Sequence, residues 1–115
     1  MPFIDARISK KLDATQKDAL KSALGRAIGA FGKGESWLMV QIQDGCDLWR
    51  GGAKLDPGAF VATSMVGPSS GAACADFSAQ VARILSEQLG IPGNEVYLTV
   101  TSVDGSHWGW NGSTF

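Results

Sequence analysis

A chain of 115 residues, 44% hydrophobic, with 10 Lys and Arg against 11 Asp and Glu, is one domain of net charge −1. The even balance excludes the basic footprint of a nucleic-acid binder and a polybasic membrane anchor, and no apolar run approaches the roughly 20 residues of a membrane span. One histidine (His107) and two separated cysteines (Cys46 and Cys74) exclude a typical zinc site, so neither metal nor cofactor is expected.

The chain opens MPFIDARISK, where Phe3 to Ile8 alternate as a half-buried strand. Proline cannot donate to a ladder, and Pro2 stands at the first strand position, where it is tolerated. Asp5 and Arg7 interrupt the apolar stretch that a signal peptide needs, so a cytoplasmic location and free thiols are expected. Asp13 to Phe31 has helix grammar: Asp13 caps, Gln16 completes a capping box, and Leu20, Leu24, Ala27, Ile28 and Phe31 form one stripe. Gly32 stops it, Lys33 follows, and ESWLMVQIQ (35–43) reads as a strand with Trp37, Leu38, Met39 and Val40 consecutively apolar. Ala59 to Val66 is a strand, and a second helix over Ala72 to Leu89 sets Phe77, Val81, Ile84, Leu85 and Leu89 on its apolar face. Gly90 ends it before the strand Val96 to Val103. Trp49, Trp108, Trp110 and Phe115 fall in turns or short strands. Asn111-Gly112-Ser113 matches a glycosylation pattern that carries no weight without a secretory signal. His107 reads as a turn residue.

The helix exits FGKGESWLMV and LGIPGNEVYLTV match at an offset of about 58 residues, so the plan is one β-α-β unit used twice. The halves are about 2–57 and 58–115 of a single domain. The expected fold is α/β (α+β), a four-stranded mixed sheet with two helices on one face. Helices cover only that face. Large apolar residues remain for the other, which predicts that another subunit covers it.

If Met1 is removed, Pro2 becomes a chain-terminal secondary amine with a basic lone pair. Met-Pro at the start, Gly32-Lys33 at the first helix exit, the doubled β-α-β plan and the ending WGWNGSTF together resemble the macrophage migration inhibitory factor family of the tautomerase superfamily. The resemblance spans the whole chain, and its most specific part is Gly109 to Phe115. It implies a homotrimer with sites at subunit interfaces and a phenylpyruvate- or dopachrome-type isomerase acting on aromatic α-keto acids. It implies Pro2 as general base and Lys33 beside the substrate carboxylate. It places Val66, flanked by Ser64 and Met65, at the pocket floor, and Tyr97 in the pocket of an adjacent subunit. Trp108, Trp110 and Phe115 become an apolar wall, with Phe3 next to the base.

Three positions depart from the family pattern. Trp37 stands for a tyrosine at the rim, Thr99 for an asparagine that helps polarise the substrate carbonyl, and Trp108 for a small aliphatic residue, which narrows the mouth. Bland readings stand beside the functional ones. Pro2 is also an ordinary strand start, Lys33 a cation at a helix C-terminus, and Tyr97 a plain strand aromatic. The alternative function is a cytokine-like trimer that meets a protein receptor, is released without a signal peptide, and has a vestigial pocket.

Overall fold

The computed structural model describes all 115 residues. Four strands form the main sheet: β1 (Pro2–Ile8), β2 (Met39–Gln43), β5 (Ala59–Val66) and β6 (Val96–Val103), in the order β2-β1-β5-β6. β1 runs parallel to β2 and β5 parallel to β6, while β1 and β5 meet antiparallel at the centre. Helices α1 (Ala14–Ala27) and α2 (Gly71–Leu89) make the two crossovers. The doubled β-α-β plan is therefore the observed one, as is the mixed sheet with both helices on one face.

Local chemistry fixes the helix ends. Asp13 Oδ1 accepts from the Gln16 N–H at 2.8 Å and Gln16 Oε1 accepts from the Asp13 N–H at 3.0 Å, completing the capping box. The first helix is shorter than its periodicity predicts. The regular turns end at Ala27, Ile28–Phe31 tighten into a 3₁₀ turn, and Gly32 at φ 69° closes it. The second helix starts one residue earlier than expected, at Gly71, because the Ser70 hydroxyl accepts from the Ala73 N–H at 3.0 Å. The expected strand over 35–43 begins only at Met39. Glu35–Trp37 form a 3₁₀ turn, closed by the Leu38 N–H on the Glu35 carbonyl at 3.0 Å, which lifts Trp37 off the sheet. Gly93–Glu95 make the same turn ahead of β6, so the repeat extends to the helix exits.

Side chains alternate across the strands. Ile4, Ala6 and Ile8 of β1 and Val61 of β5 pack under Leu20, Leu24 and Ile28 of the first helical segment and Phe77, Val81 and Leu85 of α2, all buried. The Phe31 and Phe77 rings meet with centroids 5.0 Å apart. The opposite face is bare in the single chain. It presents three rows read across β2, β1, β5 and β6: Met39-Phe3-Ser64-Thr101, Gln41-Asp5-Ala62-Thr99 and Gln43-Arg7-Phe60-Tyr97. This face is mixed rather than continuously apolar as the sequence suggested, because Leu38 and Val40 turn to the helix side. No helix is long and apolar enough to cross a membrane.

Two short hairpins complete the chain: β3 (Trp49–Arg50) with β4 (Ala53–Lys54), and β7 (Gly109–Trp110) with β8 (Ser113–Thr114).

Candidate active site

The start of β1 forms one end of the bare face, and a cavity of about 460 Å³ opens there. Its floor is the row Met39, Phe3 and Ser64 with Pro2 and Met1 at the edge. Ser36, Trp37 and Leu38 make one wall, and Trp108, Gly109 and Trp110 the other. This size lies in the range of small-molecule sites. Pro2 is itself buried and paired with Met65, the first rung of the antiparallel ladder.

The C-terminal hairpin builds the aromatic wall. Asn111 and Gly112 both take left-handed backbone, at φ 52° and 77°, which is the requirement of a two-residue type I′ turn. The turn aims Trp110 edge-on at Trp37, with ring centroids 5.2 Å apart and planes at 89°. Phe115 stacks behind Trp110 at 6.4 Å. Its N–H donates to the Gly105 carbonyl at 3.0 Å, and any Cβ on residue 105 would crowd the Phe115 Cβ at 3.2 Å. Met1, Trp37, Trp110 and Phe115 enclose a second space of about 370 Å³ that adjoins the first.

Polar groups converge on Val66. Its N–H donates to the Met1 carbonyl at 3.2 Å, and its own carbonyl accepts from Lys33 Nζ at 3.3 Å. The turn Ile28–Gly32 delivers Lys33 to this point across the top of β5. The Met1 amine is held below its ordinary value, first by burial and then by the Lys33 charge.

Pro2, Phe3, Trp37, Ser64 and Trp108 therefore line one cavity, Phe115 lines its neighbour, and Lys33 and Val66 meet at the edge through Met1. Met65 does not line it: its side chain is fully buried on the helix side of β5, opposite in parity to Ser64. Tyr97 and Thr99 are also elsewhere in the single chain. Tyr97 pairs with Phe60, five positions before Met65, which puts it about 16 Å along the strand from Pro2. Trp108 does not close the mouth, since the cavity beside it is roomy. The sequence reading passed over Ser36, Leu38, Met39 and Met1 itself. It also passed over the turn chemistry of Asn111-Gly112, an Asn-Gly hairpin signal that was present in the chain.

A profile of the family described as macrophage migration inhibitory factor (MIF) matches residues 1–115. The chain belongs to that family. A macrophage migration inhibitory factor homolog of Trichuris trichiura is 37% identical over 115 residues, covering all of both chains. A homolog of Trichinella spiralis is 30% identical over the same span, again covering both chains completely. Among solved structures, the macrophage migration inhibitory factor of Toxoplasma gondii superposes with a TM-score of 0.90 at 26% identity, over 98% of this chain and 99% of that one. The homologue from Prochlorococcus marinus gives 0.88 at 27% identity, over 98% of each. The MIF family fold is thus shared across the whole length, from the strand that begins with Pro2 to the C-terminal hairpin.

Proposed function

We propose that this MIF-family chain is a cofactor-independent keto–enol tautomerase of aromatic α-keto acids, with the Pro2 amine, uncovered by removal of Met1, as general base. One observation carries the reading: the Met1 carbonyl occupies the Val66 N–H at 3.2 Å beside Lys33 and a buried Pro2, at the rim of an aromatic-walled cavity. Removing Met1 frees that N–H as a donor and converts the Pro2 nitrogen from an amide to an amine in one step.

Enolisation removes a weakly acidic proton from the carbon beside a carbonyl. The neutral Pro2 nitrogen takes that proton, the C–H electron pair moves through the carbon–carbon bond to oxygen, and the oxygen is then protonated. A base with pKa near the working pH contributes about 10²–10⁴-fold. The Lys33 ammonium pairs with the substrate carboxylate as a point charge. The Val66 N–H and the Ser64 hydroxyl are donors for substrate oxygens, and Trp37, Trp108 and Trp110 hold the aryl ring.

The separation of Tyr97 and Thr99 from the cavity supports a homotrimer in which a neighbouring subunit brings them to the site. Both sit on the edge strand β6, on the bare face, and Tyr97 is 58% exposed.

The test is phenylpyruvate enol–keto interconversion by the Met-free protein and by a variant with alanine inserted before Pro2, each N-terminus verified by intact mass. Activity in the Met-free protein alone supports the amine. Equal rates assign the base elsewhere. No activity in either favours the receptor-binding trimer.

A further inference from the structure

The middle of the bare sheet face holds a charge pair that the active site does not use. Asp5 and Arg7 stand two apart on β1, on the face away from the helices. Asp5 Oδ2 accepts from Arg7 Nη2 at 3.1 Å. Asp5 Oδ1 is buried and has no partner. The Asp5 side chain is only 16% exposed, while Arg7 is 52% exposed and makes this one contact within the chain. A guanidinium carries five donors, and a buried carboxylate oxygen without one is costly. The single chain thus leaves an acceptor unmet beside unused donors.

We propose that a second copy of this chain completes the pair, with Asp5 Oδ1 accepting from Arg7 of the partner subunit, so that the Asp5–Arg7 pairs link into a ring across the bare faces. This rests on the homotrimer proposed above and names what fixes its register. The occupant follows from charge. An acidic partner would satisfy Arg7 and leave Asp5 Oδ1 unmet, and a basic partner would do the reverse. A surface carrying one acceptor and one donor at this spacing satisfies both, and the chain itself presents that surface. The same face continues outward to Met39, 69% exposed on the β2 edge, and to Tyr97 on the β6 edge, so the pair lies at the centre of an uncovered, self-complementary surface. Breaking a desolvated charge pair acts mainly on dissociation.

The experiment is subunit exchange between ¹⁵N-labelled and unlabelled full-length protein, read by native mass spectrometry, for the wild type, Asp5→Asn, Arg7→Met and the double variant. Asp5→Asn is nearly isosteric, and helicity by circular dichroism confirms that each variant folds. Each single variant should exchange about tenfold faster or more, and the double variant no faster than the singles, since the two residues share one contact. Unchanged exchange in the variants, with an oligomeric wild type, overturns the ring and leaves the trimer standing. A monomeric wild type at micromolar concentration overturns both.

Discussion

Lys33 Nζ donates to the Val66 carbonyl at 3.3 Å, joining the exit of the first helix to the end of β5. The contact parks the ammonium beside the Val66 N–H, so a substrate carboxylate would meet a charge and a main-chain donor together. Lys33→Ala should raise KM for phenylpyruvate by about 10- to 100-fold, the size of a charged hydrogen bond of roughly 1.5–3 kcal/mol. The methyl ester of the substrate, which lacks the carboxylate, should show no such change. Steady-state kinetics on the acid and ester pair decide it, and an equal effect on both would remove Lys33 from carboxylate binding.

The same lysine sets the sign of the pH dependence. Burial, and after it the Lys33 charge, hold the Met1 amine below its ordinary value. The Pro2 nitrogen lies one residue further in and is buried, so both causes persist when Met1 is absent. A lowered pKa leaves the amine neutral where a free α-amino group, near about 8, is still protonated. kcat/KM of the Met-free protein should therefore rise with pH and level off below that point. Lys33→Ala removes only the second cause and should move the inflection upward, while Lys33→Arg should hold it. An inflection that ignores residue 33 would assign the depression to burial alone.

Tyr97 lies too far along β6 to touch substrate at its own Pro2, which makes the interfacial site testable by complementation. Tyr97→Ala and an alanine insertion before Pro2 should each abolish or cripple activity alone. Mixed and re-formed oligomers of the two should regain it, because some sites then combine an intact Pro2 with an intact Tyr97. Re-formed mixtures as inactive as their parents would mean that Tyr97 serves its own subunit's structure.

Much of this architecture was readable from pattern. The capping box at Asp13, the stripe from Leu20 to Ile28 and the two matched helix exits report periodicity and termination, which are local properties of the chain. The residues that were misplaced depend on three dimensions. Met65 and Ser64 are neighbours in sequence, yet alternation across β5 sends one into the core and the other to the cavity. Trp37 was read into the strand because its run is apolar on both parities. A single hydrogen bond, Leu38 N–H to the Glu35 carbonyl, closes a 3₁₀ turn there instead. The role of Tyr97 is illegible in one chain by either route, since nothing local says which subunit's cavity an edge strand serves.

The core offers a test independent of chemistry. Phe77 is fully buried on α2, its ring against Phe31 at 5.0 Å, where the helix exit that carries Lys33 packs onto the second half of the chain. Phe77→Ala removes a whole ring from this contact and should cost about 3–5 kcal/mol of stability by urea denaturation. The loss should reach the site as well. The turn Ile28–Phe31 loses its support, so Lys33 is held less firmly, and KM for the α-keto acid should rise before any global unfolding. Phe77→Leu keeps most of the volume and should restore most of both properties. A Phe77→Ala protein that is destabilised yet binds substrate with unchanged KM would show that the Lys33 turn holds its place without the Phe31–Phe77 contact.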